Sequence, residues 1–201
     1  MAIELKKKGE KISLEKKSPG SLGQIAVNLN WNKRESKKGF FGSLLGPKSV
    51  DLDLGCLFEM KDGGKGVVQA LGNAFGNLNN SPYIALDADD RTGASENGEN
   101  LRINGNMISQ IKRILIYTFI YEGVANWQQV DGIVTVKCPG SQDIIVRMDE
   151  YNSSGYMCAI AMLENLNNET FSVERIVRFF NGHQPMDIAF NWGLQWRIAR
   201  K

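Results

Sequence analysis

"VDLDLGCLFE", residues 50–59, alternates with a period of two, so Val50, Leu52, Leu54, Cys56 and Phe58 share one face. Successive side chains of a strand point to opposite faces, and the pattern predicts a β-strand with one face on a core. Asp51 and Asp53 then share the opposite, outward face, with roughly 6–7 Å between their Cα atoms. "QIAVNLNW" (24–31) has the same design, with Ile25, Val27, Leu29 and Trp31 facing inward. The last segment repeats it with Trp192, Leu194, Trp196 and Ile198, which predicts a further strand.

"IKRILIYTFIY" (111–121) becomes apolar on both faces after Arg113, as expected of a central strand covered on each side. "DIIVRM", "YMCAIAMLENL" and "FSVERIVRFF" add three strands, the last two joined through "NNE" as a hairpin. "MKDGGKGVV" predicts another hairpin, turning at Asp62–Gly64. "QPMDIAF" is the segment best suited to a short helix. Seven or more closely spaced strands, with 21 glycines to turn between them, predict an all-β fold: a two-sheet β-sandwich with one or two short helices.

The 201 residues, 42% apolar and 23% charged, suit a single domain over 1–201 with a sizeable core. Residues 32–49, "NKRESKKGFFGSLLGPKS", join two strands and read as a flexible insertion loop. Its aromatics Phe40 and Phe41, flanked by lysines, would suit contact with an anionic membrane surface. The N-terminus lacks the apolar run of a signal peptide, and no stretch approaches the roughly 20 apolar residues that span a bilayer. With three cysteines, which cannot all pair internally, a cytoplasmic location is expected. Cys56 and Cys158 read as packing, and Cys138, ahead of Pro139, as the exposed thiol.

His183 is the only histidine, which excludes zinc sites built on two or more. Any Ser-His-Asp or Cys-His arrangement would run through it alone, and its setting in "NGHQPMD" reads as a hydrogen-bonded turn residue. Neither a P-loop nor a Gly-x-Ser-x-Gly elbow is present. The first 48 residues carry eleven Lys or Arg against four Glu. These cations are scattered over a tail, a strand connection and a loop, without interleaved stacking aromatics, so no specific nucleic-acid partner is expected.

The densest charge lies in "DADDRTGASENGEN" (87–100): five acids against Arg91, in a chain of net charge +2. Crowded like charges raise the energy of the folded state unless a cation compensates them. Calcium takes six to eight oxygens, and this segment offers carboxylates, amide oxygens, the Thr92 hydroxyl and backbone freed by Gly93 and Gly98. The spacing is not that of an EF-hand, since Thr92 and Gly98 occupy the positions that need Gly and Glu. An alternative use of the same acids is a magnesium-dependent hydrolase or phosphoryl-transfer centre, although no phosphate cradle accompanies them.

"VDLDLGCLFEMKDGGKGVVQALGNAFGNL", "PYIALDADDRTGASENGENLRING" and "IKRILIYTFIYEGVANW" together resemble the TerD-domain proteins of bacterial tellurite resistance and stress response. "MCAIAMLENLNN" and "FFNGHQPMDIAFNWGLQW" resemble the TerA branch of that family. The resemblance implies a cytoplasmic, non-enzymatic β-sandwich that binds calcium through acidic loops at one end, with other stress and tellurite-resistance proteins as partners. It places the metal ligands at Asp51, Asp53, Asp89, Asp90, Glu96 and Glu99. The chain departs from the family pattern at Ala88, where Gly is usual, and at Asn97-Gly98-Glu99-Asn100, where the family has more carboxylates. One Ca2+ is therefore expected, with two as the alternative.

Overall fold

The computed structural model describes residues 2–15, 22–31, 50–87, 98–122, 127–149 and 155–198. Within them the alternating segments pair into two sheets. The seven-stranded sheet has the order β1 (Ile3–Leu5), β11 (Ile144–Arg147), β10 (Ile133–Lys137), β3 (Gln24–Asn30), β8 (Glu99–Asn104), β7 (Ile84–Leu86) and β6 (Gly76–Asn77). The six-stranded sheet runs β2 (Lys11–Ser13), β13 (Thr170–Phe180), β12 (Met157–Leu166), β9 (Ile111–Glu122), β4 (Asp51–Met60) and β5 (Lys65–Val68). All pairings are antiparallel except β1 with β11. The expected all-β sandwich is what the chain forms.

The main core fills the space between the sheets. Ile25, Val27, Leu29 and Trp31 face Leu52, Leu54 and Cys56 across it, as their alternation predicts. Removing this much apolar surface from water is the chief force holding the sheets together. The β4–β5 hairpin closes at Met60–Gly64 and the β12–β13 hairpin through residues 167–169, both at the positions expected.

A second apolar layer covers the outer face of the six-stranded sheet. Leu57, Leu115, Tyr117, Phe119, Met157 and Phe180 pack there against Met186 and Trp192. This layer explains why β9, between β4 and β12, is apolar on both faces. Its cover is a short helix, α2 (His183–Ala189), together with the chain that follows it. A single helical turn, α1 (Trp127–Val130), completes the α-helices among the described residues, and short 3-10 segments lie at Leu71–Asn73 and Gly105–Gln110.

The structure corrects the reading of the last segment. Residues 191–198 form no strand. Asp187 instead accepts hydrogen bonds from the Gly193 and Leu194 backbone N–H groups at 2.8 and 2.9 Å and from Trp196 Nε1 at 3.2 Å. That carboxylate holds the segment against the sheet, so Trp192 is buried without a β ladder. Arg113 stacks on the Trp192 ring at 3.9 Å, and Lys65 Nζ donates to its carbonyl at 2.8 Å. Alternation here records contact with a surface, which a docked irregular segment makes as well as a strand does.

Candidate functional site

Six strand ends gather at one end of the sandwich: Asn30, Asp51, Leu86, Glu99, Glu122 and Met157. Their placement follows from the registers Leu29↔Glu99, Leu86↔Leu101, Asp51↔Glu122 and Met157↔Phe119. Three of the nominated ligands, Asp51, Asp53 and Glu99, lie on described strands at this end. Asp89, Asp90 and Glu96 fall in 88–97, and Phe40 and Phe41 in 32–49, outside the described residues.

Glu99 is the link between the sheets. It shares the inward face of β8 with Leu101 and Ile103 and is only 8% exposed. Its Oε2 accepts the backbone N–H of Leu54 at 2.5 Å, across the sandwich. β5 pairs with β4 only from Cys56 to Glu59, so Leu54 lies on the stretch of β4 that β5 leaves uncovered. A buried N–H needs an acceptor, and the carboxylate supplies a strong one. Gly98 permits this entry into β8. Its φ is +67°, and a Cβ there would lie 2.0 Å from the Leu29 carbonyl oxygen, so only glycine fits.

Asp53 is next to Leu54 in the chain and only 1% exposed. The Asp51–Asp53 face is the outer face of its sheet, as parity predicts, but it is not open to solvent: Asp51 is half-buried and Asp53 is buried. The cause is the second apolar layer, whose existence strand parity does not reveal. Thr118 Oγ1 donates to the Asp53 carbonyl at 2.8 Å and pins β4 to β9 beside it. Buried carboxylates are costly unless paired, hydrogen-bonded or bound to a metal. Among the described residues no three acids, histidines or cysteines gather closely enough to hold a metal alone. The donor set here is oxygen only, which suits a hard cation such as calcium or magnesium.

Asp87 and Asn100, at the two ends of the acidic segment, are engaged elsewhere. Asp87 forms a two-point ion pair with Arg102, at 2.7 and 2.9 Å. Asn100 Oδ1 accepts from Asn28 Nδ2 at 2.9 Å on the outer face of the seven-stranded sheet. Sequence spacing carries no sign of either pairing, because Arg102 and Asn28 reach these positions only through strand register.

A buried polar network that sequence reasoning did not identify lies under α2. Tyr117 Oη donates to Gln69 Oε1 at 2.6 Å, and His183 Nε2 is 2.9 Å from the same oxygen. An amide oxygen only accepts, so His183 carries its proton on Nε2. The His183 ring packs against Tyr117, Phe119 and Trp196. Burial pushes its pKa down to about 4 and holds the Tyr117 hydroxyl well above the ordinary value. Tyr117 lies over Gly55, where a Cβ would come within 2.7 Å of the ring. His183 is thus a neutral, hydrogen-bonded packing residue, with no cysteine or serine bonded to it among the described residues.

All three cysteines are buried, including Cys138 at 5% exposure, which corrects its expected exposure. Its Sγ lies 3.5 Å from the Leu22 carbonyl, and burial raises its pKa. No helix among the described residues is long and apolar enough to cross a membrane.

The model of the TerD domain matches residues 1–139. The chain is 45% identical over 200 residues to the tellurium resistance protein TerA of Alcaligenes sp., covering 99% of this chain and 58% of that protein. It is 32% identical over 142 residues to the tellurium resistance protein TerX of Serratia marcescens, covering 61% of this chain and 64% of that protein. It therefore spans less than two thirds of the length of either curated relative. Among solved structures, SAV2460, a protein of unknown function, superposes with a TM-score of 0.59 at 11% identity, over 87% of this chain and 99% of that one. SCO6318 from Streptomyces coelicolor A3(2), a homologue of telluride resistance protein TerD, gives 0.55 at 16% identity, over 83% and 95%. At these identities the structural likeness concerns the fold alone.

Proposed function

The chain belongs to the TerD-domain family, and on that premise we propose that it is a calcium-binding, non-enzymatic protein of tellurite resistance and stress response. It would work in the cytoplasm as a binding or scaffold module, in a larger assembly of proteins of the same process. The process is supported by both relatives, each a tellurium resistance protein by name.

The observation that carries the calcium reading is the Glu99–Leu54 hydrogen bond, which brings a buried carboxylate from one sheet to the backbone of β4 at the residue next to buried Asp53. Asp51, Asp53 and Glu99 would hold the ion together with Asp89, Asp90 and Glu96. When bound, calcium would neutralise acids that otherwise repel one another. The chain's own residues set the geometry: Thr118 pins β4 to β9, Gly98 admits the turn into β8, and Glu99 ties β8 to β4.

Calcium and magnesium titrations by calorimetry, with thermal melts in EDTA and in millimolar calcium, test this. A ligand that binds only the folded form stabilises it by about 2.7 kcal/mol at a hundredfold excess over Kd. The expected result is a calcium-dependent rise in melting temperature that disappears in Asp89→Ala/Asp90→Ala. An unchanged melt refutes the calcium reading. Preference for magnesium, with turnover of phosphoesters, would move the assignment to the hydrolase alternative.

A further inference from the structure

The outer face of the seven-stranded sheet carries an open hollow of about 560 Å³, lined by Gln24, Ala26, Asn28, Asn30, Asp87, Asn100, Arg102 and Lys137. Its floor follows from register. Ala26 of β3 pairs with Lys137 of β10 on one side and Arg102 of β8 on the other. Gln24 and Asn28, two residues before and after it, point the same way. A methyl group surrounded by four longer side chains makes a depression, and these four are two cations and two amides. Strand spacing puts the Lys137 and Arg102 Cα atoms about 10 Å apart, close enough for both side chains to lean over Ala26.

The groups are partly set in place already. Asp87 engages the Nε and Nη2 edge of Arg102 and so fixes the guanidinium, leaving Nη1 without a partner among the described residues. Lys137 has no ion-pair partner among them either. The Asn28–Asn100 hydrogen bond orders the amides of the next row. Among the described residues that line the hollow there is no aromatic side chain to serve as a platform for a sugar ring. The one carboxylate among these described residues, Asp87, is committed to Arg102, which disfavours a cation. What remains is rich in N–H donors, with one positive charge in excess.

We propose that this hollow is an anion site that takes an oxyanion group, either as a free inorganic ion or as the phosphoryl group of a small organic molecule. Lys137 and Arg102 supply the charge-assisted contacts, and Gln24 and the asparagines add neutral N–H donors. The site lies on the outer face of its sheet, so it stands independently of the calcium reading.

The test follows side-chain amide resonances by NMR during titration with inorganic phosphate, tellurite and glucose 6-phosphate, in EDTA to exclude calcium. Saturable shifts of the Asn28 and Asn100 amides are expected, weakened about tenfold in Lys137→Gln and in Arg102→Gln, since one charge-assisted hydrogen bond is worth roughly that factor. Arg147→Gln, which breaks a Glu4 ion pair on the same sheet outside the hollow, should leave the affinity unchanged. Tighter binding of glucose 6-phosphate than of phosphate assigns the remaining volume to an organic moiety, and equal binding assigns the site to a free oxyanion. Lys137 has no ion-pair partner to lose among the described residues, so its variant keeps the test valid if Arg102→Gln misfolds. Absence of saturable shifts with all three probes at millimolar concentration, or shifts unaltered in Lys137→Gln, overturns the proposal.

Discussion

Glu99 Oε2 accepts the backbone N–H of Leu54 at 2.5 Å, joining β8 of one sheet to β4 of the other. The same carboxylate is a nominated metal ligand, so its structural and metal-binding roles need separate readouts. Glu99→Ala leaves a buried N–H without an acceptor, and a loss of about 1–3 kcal/mol in urea unfolding is expected in EDTA. Glu99→Gln keeps an acceptor oxygen but removes the charge. It should retain most of the stability in EDTA while losing much of the calcium-dependent rise in melting temperature. If Glu99→Gln responds to calcium like the wild type, Glu99 is a structural residue only.

His183 gives the stability a defined pH dependence. Its folded pKa is about 4, against 6.5 for the free side chain. Between those values the unfolded chain binds a proton that the folded chain excludes, so stability is complete above pH 6.5 and falls as the pH drops towards 4. The steepest slope is roughly 1 kcal/mol per pH unit. Other groups titrate nearby. Burial works against the charge of Glu59, yet hydrogen bonds from Lys112 and Arg113 outweigh it and hold its pKa below the usual range. The difference between wild type and His183→Gln therefore isolates the histidine, and it should shrink across this window. Parallel pH profiles for the two proteins would refute its assignment as a buried neutral group.

The cysteines are expected to be chemically silent in the native protein. Cys56 and Cys158 are fully buried and Cys138 nearly so, and burial raises the pKa of both Cys56 and Cys138. Thiolate is the reactive form, so an aromatic disulfide reagent should titrate none of them before unfolding and all three afterwards. Rapid reaction of one thiol in the folded protein would contradict this burial.

The strands were largely legible because their alternation is a local property. Ile25, Val27 and Leu29, or Leu52 and Leu54, declare their common face without reference to any other segment. The exception is equally informative. Trp192, Leu194 and Trp196 alternate like a strand, yet Asp187 holds their segment outside any sheet through three hydrogen bonds. A period of two cannot distinguish a paired strand from an extended segment docked on a surface.

By itself the sequence determined the all-β class, the inward faces of the main core and two hairpin turns. The tertiary structure decided what covers the other faces. It buried Asp53 beneath a second apolar layer, buried Cys138, and brought Glu99 to Leu54, 45 residues away in the chain. It also set Lys137 and Arg102 on either side of Ala26. The physical reason is the same throughout. Periodicity is imposed by the backbone of each strand, whereas burial, ion pairing and the meeting of side chains depend on which strands the folded sheets place side by side.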